Sequence, residues 1–268
     1  MTLLHIFILS LIQGLTEFLP VSSSGHLVLL PHLFGWENQG LEMDVALHVG
    51  TLIAVLVYFW ADIWEIITHF VRYCIRGFQA DHLNRHVRLG LSLIVATLPA
   101  VIVGVLLKKG GLGDTRQINV IATTSIVFAL VLYAADRFGS QEKSLNSMTL
   151  GHGFLIGLGQ AFALIPGVSR SGICMSVGLS LGFSRIAAAR FAFLMSIPSI
   201  LGAAILTAYD ALKADTPIVW DDIGLGILFS SLIGLAAIHF MLTFLARHTL
   251  TVFVVYRIIL GIGIWLIL

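Results

Sequence analysis

The chain has 268 residues, of which 58% are apolar and only 11% charged, with a formal net charge of +1. Soluble domains carry about 45–50% apolar and about 25% charged residues, so this composition and a mean hydropathy of +0.99 exclude a soluble globular domain. The same figures exclude a disordered chain and a nucleic-acid-binding one, since there is neither a polar excess nor a basic field.

The sequence reads instead as an all-α polytopic membrane protein, one integral domain over residues 1–268. The first apolar stretch, 3–35, is broken by Gly14, Pro20 and Gly25, with Glu17 and three serines between them. It cannot supply the roughly 20 uninterrupted apolar residues of a spanning helix. Because broken helices at membrane depth need protein or a wet cavity around them, a re-entrant helix-loop-helix hairpin is expected. Three spans follow, at 43–61, 87–107 and 117–135. Stretch 151–182 is broken by Gly157, Gly159, Pro166, Gly167 and Gly172 and contains Arg170, which predicts a second hairpin. Three more spans, at 186–207, 222–245 and 250–268, complete the chain. No Lys or Arg precedes Arg72, so no cleavable signal peptide is expected. Cys74 and Cys174 are too few for a disulfide framework or a cysteine metal site.

The two breaks resemble each other, one reading PVSSSGH (Pro20 to His26) and the other PGVSRSG (Pro166 to Gly172). Each is followed by three spans, which suggests two repeats, about 1–138 and 150–268. An odd number of spans per repeat makes them inverted, with the breaks meeting near the midplane. Arg72, Arg76, Arg85 and Arg88 place segment 62–88 in the cytoplasm, and the aspartates around Lys213 place segment 208–222 outside. Arg137, Lys143 and Arg247 agree with this count, whereas Lys108, Lys109 and Arg116 fall on the other side of it. Both termini are then external and the first hairpin opens outward. Glu42 reads as interfacial, Arg185 and Arg190 as snorkelling cations, and the five tryptophans as an aromatic belt at span ends. His82, His86 and His248 read as residues of loops or helix ends.

Chemistry concentrates at the breaks. Glu17 is a carboxylate at membrane depth with Gln13 one turn earlier on the same helical face. Among Ser22, Ser23 and Ser24, one caps the second half-helix, and a spare hydroxyl either holds phosphate or attacks it. His26 is a structural imidazole or an acid, base or nucleophile. Arg170, between Ser169 and Ser171 and beside Gly172, needs an anionic partner, either Glu17 or a phosphate that its fork of donors fits. Asp44 and His48, an i, i+4 pair, form a solvated helix end or line the same cavity. No Walker loop, HExxH or dinucleotide fingerprint occurs. A carboxylate, hydroxyls, an imidazole and a guanidinium suit hydrolysis of a phosphate ester or anhydride. One arginine cannot balance so anionic a substrate, so dependence on Mg²⁺ or Ca²⁺ is expected, with Glu17 as the anchoring ligand.

QGLTEFLPVSSSGH (Gln13 to His26) and PGVSRSG resemble the motifs of the undecaprenyl-pyrophosphate phosphatase family, known for bacitracin resistance. LHVGTLIAVLVYFW (Leu47 to Trp60), SRIAAARFAFLMSIPSILGA (Ser184 to Ala203) and YRIILG (Tyr256 to Gly261) extend the resemblance nearly end to end. It implies a multi-pass enzyme of the bacterial inner membrane, its site open to the periplasmic face. The implied reaction removes the terminal phosphate of undecaprenyl diphosphate and returns the lipid carrier to peptidoglycan synthesis. Gln13 and Glu17 match the first motif, in which many members have glutamate at the position of Gln13. The serine, histidine and arginine roles fall on Ser23, His26 and Arg170, leaving serine, histidine or water as nucleophile. The expected partners are undecaprenyl diphosphate and membrane lipids, and a homo-oligomer is compatible with the sequence. The competing reading is a transporter or flippase of the phosphorylated prenyl lipid, since discontinuous helices in inverted repeats are transporter architecture.

Overall fold

A computed structural model describes residues 1–78, 84–110, 117–211 and 219–267. Among these the chain is helical, with one isolated bridge between Lys143 and Phe183. Both expected hairpins are present, the first as α1 (Leu3–Thr16) and α2 (Ser23–Phe34), the second as α7 (Leu150–Phe162) and α8 (Arg170–Ser180). Their helices have 11 to 14 residues. At about 1.5 Å per residue that is roughly 16–21 Å, short of a bilayer core of about 30 Å.

The spans of the first half are α3 (Gly40–Tyr58), α5 (Arg85–Lys109) and α6 (Ile118–Phe138). Between α3 and α5 lies a helix that hydropathy did not foresee, α4 (Trp60–Ile75). Trp60, Trp64, Ile67, Val71 and Ile75 form its exposed apolar stripe, three or four residues apart, and none of its residues is buried. Such a helix suits the plane of a membrane interface. In the second half, the expected span 186–207 is divided at Met195 into α9 (Arg185–Leu194) and α10 (Ser196–Ala211), although Arg185–Thr207 together is long and apolar enough to cross. Next come α11 (Trp220–Leu245) and α12 (Thr251–Ile267). Among the described residues, five segments therefore qualify as membrane spans by length and hydropathy, and α12 stands beside them as a shorter apolar helix where the sixth span was expected. Arg116, Lys213, Asp215 and His82 lie outside the described residues, as do the side chains of Lys108 and Asp210.

The halves hold each other. Helix α1 packs on α11, α7 packs on α5, and α6 packs on α12. The first two contacts run through glycine. A Cβ on Gly14 would come within 2.7 Å of Ile233, and one on Gly157 within 2.3 Å of the Ala96 carbonyl oxygen. Backbones this close are how membrane helices gain packing without a hydrophobic drive between them. The central core draws on both halves, with Phe18 set edge-on against Phe193 at 5.2 Å and Val21, Val168 and Ile173 around them.

Two cations expected to snorkel are paired instead. Arg185 donates to Asp136 at 2.5 Å, and the other oxygen of that buried carboxylate accepts the Leu250 N–H at 2.9 Å. Arg190 reaches Asp62 at 2.7 Å, joining α9 to α4.

Candidate active site

Each hairpin turns on a serine in a left-handed conformation. Ser22 has φ 74° and Ser169 φ 71°. A non-glycine residue there costs on the order of 1 kcal/mol or more and persists only where its surroundings over-determine it. Both serines cap the helix that follows, accepting from the N–H groups of Gly25 at 3.4 Å and Gly172 at 3.2 Å. The serine needed as a cap is thus Ser22, which leaves Ser23 and Ser24 free of that duty. The extra residue of the second break is Gly167, at φ +87°, where a Cβ would lie 2.1 Å from the Thr124 hydroxyl. Only glycine fits.

The two turns face each other across a cavity of about 370 Å³, lined at its polar end by Glu17, Ser23, Ser24, Ser169, Arg170 and Ser171. Glu17, at the end of α1 and 6% exposed, is the hub. One carboxylate oxygen accepts from Arg170 Nη2, which ties the first turn to the second. The other accepts from Ser23 Oγ at 2.5 Å and from Gln13 Nε2 at 3.1 Å, with His48 Nε2 3.6 Å away. Arg170 Nη1 is buried with no hydrogen-bond partner. The guanidinium therefore has Glu17 as its partner and still presents a free donor. Ser171 donates to the Leu19 carbonyl at 3.0 Å, a second stitch between the turns.

Asp44 and His48 line the cavity from α3. The Asp44 carboxylate accepts from Gln39 at 2.7 Å, and His48 Nδ1 donates to the Asp44 backbone carbonyl at 2.7 Å, which aims Nε2 at Glu17. Gln13, Ser22 and Gly172 belong to the same assembly, but Gln13 and Gly172 do not line the cavity. Neither does His26. Its Nδ1 lies 2.7 Å from the Ser22 carbonyl, which can only accept, so Nδ1 carries the proton. In the neutral ring Nε2 then accepts from the Tyr256 hydroxyl at 2.7 Å. His26 thus braces the strained Ser22 from behind.

Two groups of residues had escaped sequence reasoning. Arg257 on α12 is fully buried and donates to backbone carbonyls only: Pro20 at 3.3 Å in the first turn, Gly167 at 2.8 Å and Val168 at 3.0 Å in the second, and Thr124 and Ser125 on α6. A lone arginine inside the last apolar stretch is the same signal that singled out Arg170. Gln160 and Ser199 line the cavity on the other side. Gln160 stands nine residues before Ser169, as Gln13 stands nine before Ser22.

For a divalent cation, the carboxylates of Glu17 and Asp44 line the cavity, the ligand type that Mg²⁺ and Ca²⁺ take, whereas the unpartnered Gln13 Oε1 belongs to a residue outside that lining. A different cluster, Glu65, His69 and His86, brings three ligand-type atoms within 4.8 Å. Its geometry opposes a cation. The imidazoles are stacked at 5.0 Å, so their in-plane lone pairs do not converge. Asn84 caps α5 with its oxygen, leaving its Nδ2 to donate to His69 Nδ1 at 2.8 Å, so the His69 proton sits on Nε2 and faces Glu65 at 3.2 Å. This cluster is a hydrogen-bonded joint between α4 and α5.

Residues 6–263 match the family described as bacitracin resistance protein BacA. An undecaprenyl-diphosphatase of Alteromonas mediterranea is 46% identical over 261 residues, 97% of each chain. One of Saccharophagus degradans is 46% identical over 267 residues, 99% of this chain and 98% of the relative. With the family matched across the bundle and both broken hairpins, the chain belongs to the bacitracin resistance protein BacA family.

Proposed function

We infer that this chain hydrolyses undecaprenyl diphosphate to undecaprenyl phosphate and inorganic phosphate, a membrane hydrolase serving cell-wall synthesis. The observation that carries the mechanism is the 2.5 Å hydrogen bond from Ser23 Oγ to Glu17. A hydroxyl donating to a buried carboxylate is an activated nucleophile. Ser23 Oγ attacks the terminal phosphorus, its proton passes to Glu17, and the bridging oxygen leaves with undecaprenyl phosphate. Water then attacks the phosphoserine, its oxygen and both hydrogens leaving in dihydrogen phosphate, while Glu17 returns its proton to the departing Ser23 oxygen. Arg170 Nη1 supplies a donor to the charge that develops on the phosphoryl oxygens. Ser24 adds a hydroxyl beside it, and His26 acts through the Ser22 carbonyl that it holds. Glu17 would anchor Mg²⁺ or Ca²⁺, and such an ion would supply charge neutralisation on the substrate.

The bundle also supports an inverted pair of repeats, since α1 on α11 and α7 on α5 are the same contact with the halves exchanged. The placement we propose is the bacterial inner membrane with the cavity open to the periplasm. Arg85 and Arg88 start α5 while Arg137 ends α6, which gathers basic residues at one end of the bundle. The opposite end carries Asp221, Asp222 and the amino terminus, which pairs with Asp222 at 2.7 Å. Leu41, Asp44 and Val45 at the start of α3 line the cavity on that side.

Phosphate release from undecaprenyl diphosphate by the detergent-purified protein tests the reading. The panel is wild type, Glu17→Gln, Ser23→Ala and Arg170→Ala, each with Mg²⁺, Ca²⁺ or EDTA. Metal-dependent turnover in wild type and a loss of about 100-fold or more in each variant is expected. Turnover that survives all three changes moves the site elsewhere. Folded wild type that binds the lipid without cleaving it would favour a carrier of the phosphorylated lipid.

A further inference from the structure

Of the buried side-chain atoms without a hydrogen-bond partner among the described residues, two belong to residues lining the cavity, Arg170 Nη1 and Gln160 Nε2. Both are donors. Buried polar atoms are nearly always satisfied, so an orphan on a residue that lines a cavity points to where a ligand atom goes. Two orphan donors in one cavity call for an anion with oxygens at two places. Gln160 is only 3% exposed, and its Oε1 shares the single Ser199 Oγ proton with the Met195 carbonyl, at 3.2 and 3.1 Å, which leaves Nε2 as the amide atom without a partner.

Resting on the phosphatase reading, we propose that Gln160 is a second substrate-binding residue, its Nε2 donating to the phosphate that stays on the lipid. The cavity has its reacting groups at Glu17, Ser23 and Arg170 and two sets of apolar lining residues, Leu27, Val28 and Val45 on α2 and α3, and Ala163, Leu164 and Ile200 at the end of α7 and on α10 with Gln160. The proposed pose sets the terminal phosphorus at Ser23 and the prenyl tail along the second set. The oxygens next to the tail are those of the ester phosphate. Gln13 is the matching amide of the first break, but its Nε2 is spent on Glu17. The two halves thus use one glutamine on the carboxylate and the other on the substrate.

Such a contact exists in the ground state, in the transition state and with the monophosphate product, so its loss raises KM and leaves kcat alone. Gln160→Met keeps the volume and removes the donor. Its KM for undecaprenyl diphosphate should rise about tenfold or more, with kcat within about twofold. Product inhibition by undecaprenyl phosphate should weaken by the same factor, a readout that a merely structural role would not move. Ser199→Ala leaves the amide present but frees it to rotate, and should shift both constants in the same direction by less. Gln160→Glu should bind both lipids more weakly still. Unchanged KM and unchanged product inhibition in Gln160→Met overturn the proposal, as does a fall in kcat at constant KM. Tighter binding by Gln160→Glu with Mg²⁺ present would overturn it too, by showing that an oxygen faces the ligand. If Gln160→Met does not fold, unchanged constants in Ser199→Ala overturn it. Wild type inert towards the diphosphate would sink the phosphatase reading alone, and direct binding of undecaprenyl phosphate to wild type and Gln160→Met would still decide the contact.

Discussion

Replacing Arg257 by methionine should unlatch both turns at once. The guanidinium is the donor to the Pro20, Gly167 and Val168 carbonyls, which lie in the turns and outside any helical ladder. The Thr124 and Ser125 carbonyls belong to α6 and keep helical partners. An orphaned buried carbonyl costs about 1–3 kcal/mol, so three cost roughly 3–9 kcal/mol. Removing a desolvated charge offsets part of this, which leaves about 3–5 kcal/mol. At about 2–4 °C per kcal/mol for a chain of this size, Tm should fall by at least about 6 °C. The assay is thermal unfolding in detergent with a thiol-reactive dye, in a Cys74→Ser background. Cys174 on α8 is then the reporter, being 1% exposed and freed only when the second hairpin opens. Arg257→Lys keeps the charge with fewer, differently placed donors and should lie between the two. A Tm within about 2 °C of wild type for Arg257→Met, with phosphate release intact, would refute the latch.

Gly157→Ala should lower stability by about 1–3 kcal/mol, since its Cβ lands on the Ala96 carbonyl and the α5–α7 contact must open; Gly202→Ala, with nothing within 4 Å, is the control and should leave Tm unchanged or raised in the same scan. Tyr256→Phe removes the donor to His26 Nε2 and should reduce kcat about fivefold with KM unchanged, measured by phosphate release. Arg190→Gln should change Tm by less than about 2 °C, because its pair with Asp62 is more than a third exposed on both sides.

Much of this architecture was legible in the sequence because polar residues inside apolar runs are rare enough to be signals. Glu17 and Arg170 announced themselves that way, and the structure pairs them. The half-length hairpins followed from proline and glycine at the breaks. The division of α9 from α10 at Met195 was passed over because the run stays apolar through it, although Pro198, which has no N–H for the Leu194 carbonyl, stands in the first turn of α10. Helix α4 was missed because its apolar residues recur on one face and average out in a window built for spans. Arg185 looked like a snorkelling side chain because its partner, Asp136, is 49 positions away in the chain. Gln160 was passed over for a different reason: an uncharged amide in an apolar run is common, and only its orphaned nitrogen marks it.

The exchange of supports between the halves has a consequence for how the protein is made. Helix α1 rests on α11, and Glu17 on Arg170, which is 153 residues further along the chain. At about 5–20 residues per second of synthesis, the first hairpin waits about 8–30 s with its carboxylate unmatched before the guanidinium exists. Until α11 follows, the glycine face of α1 meets lipid in place of a helix. A chain stopped after α6 should therefore be a substrate for membrane quality control, and pulse-labelling should show it degraded faster than the full-length chain; equal lifetimes would mean that the first hairpin stands unaided. The reaction centre cannot form before Arg170 is made, and no fragment that ends ahead of the second hairpin can carry it.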